Sequence, residues 1–133
     1  MPRPALKKRE FETLSQFRYQ LRRFLRFSEQ VTRQHGITPL QYLLLLQVKG
    51  YPGREWATIA ELAERLQAHH HGVVALVSRC EKAALVARRP CRDDRRCVEV
   101  VLKEKGEQLL QRLARLHKDQ LIELEPVFRF PVL

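Results

Sequence analysis

Three observations predict a mainly α chain carrying one small β-hairpin, an α+β protein. First, five arginines fall within nine residues, at Arg88, Arg89, Arg92, Arg95 and Arg96, between two β-prone runs, Leu85-Val86 and Val98-Glu99-Val100-Val101-Leu102. That pattern reads as a hairpin with a cationic tip. Second, Thr58 to Lys82 has the periodicity of two short helices, so the local order is helix, turn, helix, basic hairpin. Third, long amphipathic segments stand at both ends of the chain. A two-stranded ribbon cannot bury enough surface to stand alone, and the helices before it supply the support. This is the arrangement of a winged helix-turn-helix, and it points to duplex DNA.

Each element has a local reason. Leu14, Phe17, Leu21, Phe24, Ser28 and Val31 recur at steps of three and four, with Arg18, Arg22, Arg23, Arg26 and Arg33 on the other faces, so one long helix runs to about Gly36. Thr38-Pro39 is an N-cap followed by proline at the first helical position; it opens a second helix that is apolar through Leu46 and stops at Gly50-Tyr51-Pro52-Gly53. Thr58 with Glu61 three residues on has capping-box spacing, and Ile59, Leu62, Ala63 and Leu66 form the buried face of the third helix. After a turn near Gln67-Ala68, a fourth helix covers the same core with Val73, Val74, Leu76, Val77 and Cys80. The hairpin follows. Beyond Lys103 a last helix carries Leu109, Leu110, Leu113, Leu116, Leu121, Ile122 and Leu124 on one stripe and is expected to end at Glu125-Pro126.

The length suits one domain, 1–133, with a winged core over about 37–102 and long helices over about 5–35 and 103–125. The compact middle has limited surface to cover both terminal apolar faces, so a homodimer that buries them in one symmetric interface is expected; the alternative is a monomer whose terminal helices pack on each other. The net charge of +10 is uneven, with nine basic and three acidic side chains in 1–35 and seven and four in 67–101. Basic surface attracts any polyanion, and its place beside a groove-sized motif narrows the choice to double-stranded DNA. The longest uninterrupted apolar run, about Tyr42 to Leu46, is far short of the roughly 20 residues of a membrane span, and Met1-Pro2-Arg3-Pro4 leads into charges rather than a signal-peptide core. A cytoplasmic protein without a membrane partner is expected. Cys80, Cys91 and Cys97 are an odd number without zinc-ligand spacing. No nucleophile with its base, phosphate loop or carboxylate pair stands out, so neither catalysis nor a cofactor is expected.

The start of the fourth helix, His69, His70, His71 and Gly72, is where such a helix meets base edges in a major groove. Neutral imidazoles donate and accept, and Gly72 leaves room for close approach. Ala75, Ser78 and Arg79 follow on the exposed face, with Arg79 the phosphate or guanine contact. Neighbouring helical residues point about a hundred degrees apart and cannot chelate one ion together, so no metal is assigned; a solvated helix end is the bland alternative. Arg89, Arg92, Arg95 and Arg96 take wing and backbone duty. If the tip is extended, Asp94 and Arg96 share a face and pair as a brace while Arg95 projects away, free to enter a minor groove; the alternative is a surface ion-pair knot without a partner. Cys91 and Cys97 flank the tip and, facing each other, would permit a redox-switchable disulfide, against the commoner case of two free thiols. Cys80 lies in an apolar stripe and reads as core. His35 and His117 have no evident companion.

Together, Ile37-Thr38-Pro39-Leu40-Gln41-Tyr42, the run Thr58 to Leu66, Val73 to Lys82, Leu85-Val86, Asp94-Arg95-Arg96 and Leu102 to Gly106 resemble the MarR family of bacterial transcriptional regulators. The resemblance implies a homodimer joined through its first and last helices, winged heads on a pseudo-palindromic operator, and usually repression. It also implies release of DNA by a small aromatic or anionic effector, or by cysteine oxidation. Val74 and Ala75 stand where many members have threonine or serine and arginine, Ala84 where a glycine precedes the first wing strand, and Lys103 where a threonine caps the last helix. A winged-helix module that docks protein rather than DNA is the alternative function.

Overall fold

A computed structural model describes residues 1–128, with the side chains of residues 125, 127 and 128 left aside. The elements run α1 (Lys8–Gln34), α2 (Pro39–Lys49), β1 (Trp56–Thr58), α3 (Ile59–Leu66), α4 (His70–Lys82), β2 (Val86–Pro90), β3 (Val98–Leu102) and α5 (Glu104–Phe128). The fold is mainly helical, with a small antiparallel sheet, as the sequence led us to expect.

Helix ends follow the local chemistry. At α2 the Thr38 hydroxyl accepts from the Gln41 N–H at 3.2 Å, and the Gln41 side chain accepts from the Thr38 N–H at 2.9 Å. Thr58 and Glu61 repeat the exchange at α3, at 3.2 and 2.9 Å. Gly36, at φ +83°, ends α1, and Gln67, at φ 51°, ends α3. The first helix starts at Lys8 rather than near residue 5, where the Lys7 N–H meets Glu10 Oε2 at 2.8 Å. The last helix continues through Pro126, which lies in its final turn, where a missing N–H costs one backbone bond rather than a ladder.

Helix α2 forms the centre. Leu44, Leu45 and Val48 are fully buried, and Leu62, Val73, Val77, Cys80, Leu85, Val86, Val100 and Leu113 close around them. Burial pushes the Cys80 thiol up to about 11, despite the Arg79 charge that works against it, so this cysteine is core as expected.

The sheet has three strands, in the order β1-β3-β2, where the sequence suggested two. β1 pairs antiparallel with β3, Trp56 opposite Val101 and Thr58 opposite Glu99. Three residues are too few to carry an alternation signal, and β1 is strand only because β3 offers it a free edge. The first hairpin strand also differs: it begins at Val86 and runs through Arg88 and Arg89 to Pro90, paired residue for residue from Val86 opposite Leu102 to Pro90 opposite Val98. Arg88 and Arg89 are therefore strand residues, and the tip is only the loop from Cys91 to Cys97.

Two backbone positions join the wing to the body. Ala84 holds φ +62°, the left-handed region that favours glycine. Leu85 O accepts the Lys103 N–H at 2.9 Å, and a Cβ on Gly106 would stand 2.1 Å from that same oxygen, so only glycine lets α5 start this close to the chain entering β2. Lys105 Nζ also donates to Ala83 O at 3.0 Å at the end of α4.

Candidate nucleic-acid interface

Two exposed features stand side by side, the outer face of α4 and the basic wing. At the head of α4, His69 is the N-cap residue and His70 the first helical one; no side chain caps the helix, so its first N–H groups are open. His69, His70, His71 and Gly72 are all exposed, and the His69 and His71 rings stack with centroids 5.8 Å apart. Val73, Leu76, Val77 and Cys80 turn into the core, which leaves Ala75, Ser78, Arg79 and Lys82 on the surface.

The arginines fall into two groups. Arg88 reaches across to α4: Nη1 meets Glu81 Oε1 at 2.7 Å, and Nη2 donates to Val74 O at 3.0 Å and Ser78 Oγ at 2.9 Å. Its backbone N–H donates to Glu81 Oε2 at 3.2 Å. Arg89 Nε meets Glu99 Oε2 at 2.7 Å across the β2/β3 ladder, and Glu99 is only 6% exposed. Neither Glu81 nor Glu99 stands out along the chain; for Glu99 the signal is the hairpin register that sets Arg89 opposite it, whereas Glu81 meets Arg88 only through the packing of β2 on α4.

Arg92, Arg95 and Arg96 are exposed on the tip. Its brace differs from the expected one. The stretch is a turn rather than extended: the Cys97 N–H donates to Asp94 O at 3.1 Å, and Asp94 Oδ1 accepts the backbone N–H of Arg96 at 2.9 Å. A carboxylate that bonds the backbone two residues on makes an Asx turn, which leaves the Arg96 guanidinium out of the brace. Cys91 and Cys97 are joined in a disulfide with Cα atoms 5.3 Å apart, and the Cys91 N–H donates to Cys97 O at 3.1 Å. The closed loop does not pack flat on the body, for a cleft of about 610 Å³ lies between it and the start of α3.

Behind that cleft, the Arg54 guanidinium lies over Tyr51 at 4.1 Å and Trp56 at 3.8 Å and pairs with Glu61. Partial burial alone would raise the Glu61 carboxyl, but hydrogen bonds from the Thr58 backbone, Tyr51, Arg54 and the Thr58 hydroxyl outweigh it and hold it at about 2. The cluster anchors β1 to α3 beneath the wing.

His117 gains the companions the sequence did not reveal. Buried where α1, α2 and α5 meet, it stacks on Tyr42 at 4.2 Å, and its Nε2 lies 2.8 Å from Ser28 Oγ. Its Nδ1 donates to Leu113 O at 2.7 Å, as His35 Nδ1 does to Val31 O at 2.7 Å. Among the described residues there is no group of three or more potential metal ligands, and no helix is long and apolar enough to cross a membrane.

Comparison with known proteins follows the same lines. A family profile described as MarR family matches residues 35–96. AbsC, a MarR family transcriptional regulator from Streptomyces coelicolor, superposes with TM-score 0.78 at 22% identity over 97% of this chain and 86% of its own. A MarR family protein from Bacillus stearothermophilus gives 0.76 at 23% identity over 94% and 86%. A mutant of MepR from Staphylococcus aureus, bound to an oligodeoxyribonucleotide, gives 0.68 at 21% over 86% and 81%. A search of curated protein sequences finds no match. The MarR family profile thus covers residues 35–96 of this chain, and nearly its whole length shares the fold of these MarR family structures.

Proposed function

We propose that this chain is a sequence-specific DNA-binding regulator of transcription that acts in the cytoplasm as a homodimer, with α4 in the major groove and the wing tip over the adjacent backbone or minor groove. The observation that carries the reading is the pairing of an uncapped, exposed α4 start with a wing loop whose Arg92, Arg95 and Arg96 all face solvent. In this reading His69, His70, His71, Gly72, Ala75 and Arg79 meet base edges and phosphates, and Ser78 and Arg89 are engaged within the protein first. The MepR structure with its oligonucleotide supports DNA as the partner. Exposed apolar side chains on the terminal helices, Phe11, Leu14 and Leu25 on α1 and Leu116, Leu121 and Ile122 on α5, support the dimer. Repression, a pseudo-palindromic operator and release by a small aromatic or anionic effector come from the family resemblance.

Salt titration tests the partner. Binding to duplex DNA should weaken with a log-log slope of magnitude about 4 or more, and a slope below about 2 overturns the reading in favour of a protein-docking module. Sedimentation tests the assembly: twice the 15.7 kDa chain mass is expected, and a single-chain mass overturns the dimer.

A further inference from the structure

Arg88 is the arginine of the cluster that reaches α4. It starts from the middle of β2 and ends on the α4 stripe formed by Val74, Ser78 and Glu81, positions spaced four and three apart. Its guanidinium makes three hydrogen bonds there, and Glu81 accepts both the side chain and the backbone N–H of Arg88. Ser78 closes the arrangement, because its hydroxyl donates to Val74 O at 3.0 Å while it accepts from Arg88 at 2.9 Å. The charge of Arg88 is thus matched by a carboxylate 2.7 Å away rather than held out for a phosphate.

From this geometry we infer that Arg88 and Glu81 are positioning residues that latch the wing onto the recognition helix, so that the α4 face and the wing tip meet DNA as one rigid unit. The inference rests on the DNA-binding reading and adds a mechanism to it. Rigid coupling matters because the tip gains little support from below: the cleft separates it from α3, and its own turn and disulfide hold only its internal shape. Without the latch, the outer half of β2 and the tip beyond it are tied to the body only through the β3 ladder, and each binding event must immobilise them. The latch also occupies one flank of α4, so Ser78 supports Arg88, while Ala75 and Arg79 stay open beside the exposed start of the helix, His69 to Gly72.

Arg88→Lys and Glu81→Gln separate a latch from a phosphate contact, because the two roles give Glu81 opposite effects. Lysine keeps the charge and loses the fork; glutamine keeps the shape and loses the charge that holds Arg88. Both variants and the double are titrated against a duplex that the unaltered protein selects from a random pool, with unfolding midpoints recorded beside them. A latch predicts that each single change weakens binding roughly tenfold, that the double is no weaker than the poorer single, and that the salt slope is unchanged. If Arg88 instead touches phosphate, Glu81→Gln binds as tightly as or more tightly than the unaltered protein, and that result overturns the latch. Hydrogen exchange on the free protein gives a readout without DNA: Arg88→Lys should speed exchange of the wing amides while α2 and α5 keep their protection, and an unchanged wing also overturns it. Should no duplex be selected at all, the DNA reading fails while the exchange measurement still decides the latch.

Discussion

The base and the tip of the wing use the same residue for opposite ends. At the base, Arg88 and Arg89 each meet a carboxylate at 2.7 Å, one on α4 and one on β3, and their charge is spent on holding elements together. At the tip, Arg92, Arg95 and Arg96 sit beside Asp93 and Asp94, yet Asp94 serves the backbone and the three guanidinium groups face solvent. Composition does not separate the two groups; geometry does. A carboxylate fixed on a neighbouring element captures an arginine, whereas one inside a tight turn is drawn to the nearest N–H.

Substitutions at base and tip should therefore part company, and the largest effect is expected deepest in the base. Gly106→Ala places a Cβ against Leu85 O, so it should cost about 3 kcal/mol in denaturant unfolding, and a cost under about 1 would show that α5 shifts freely. Arg89→Ala strands the buried Glu99 carboxylate and should cost about 2 kcal/mol, measured the same way. Beneath the wing, the Glu61 carboxyl is depressed from 4.5 to about 2, so its contribution is complete above pH 4.5 and is lost as pH falls toward 2. Unfolding across that window should lose up to about 3 kcal/mol, and Glu61→Gln should flatten the profile there; an unaltered profile removes Glu61 from the acid response. Ala84→Gly relieves a left-handed alanine and should raise stability by about 1 kcal/mol. Arg95→Ala marks the other end of the comparison: stability should stay within about 0.5 kcal/mol while DNA affinity falls several-fold and the salt slope drops by about one. A loss of stability there would place the tip arginines with those of the base.

Much of this was legible along the chain. The starts of α2 and α3 rest on Thr38 with Gln41 and on Thr58 with Glu61, each bonded three residues away, so the sequence reading found them. The apolar stripe of α4 places Cys80 in the core, and the structure buries it. What escaped notice involves partners far apart in sequence. β1 became strand only against β3; Glu99 acquired its meaning from Arg89 across the ladder; and His117 gained Ser28 from a helix 89 residues earlier. The expected Asp94–Arg96 side-chain pair is replaced by a bond from the Arg96 backbone, because an extended tip would set the two side chains on one face, whereas the turn places an N–H nearer.

The order of the five helices and the hairpin, the caps of α2 and α3, the apolar stripes and the basic loop all follow from the sequence, because each is set within a turn or two of backbone. Only the tertiary structure decided which arginines are free. Ion pairing depends on the few ångströms between a guanidinium and a carboxylate, and that distance is set by how β2 lies on α4 and against β3 rather than by neighbours in the chain.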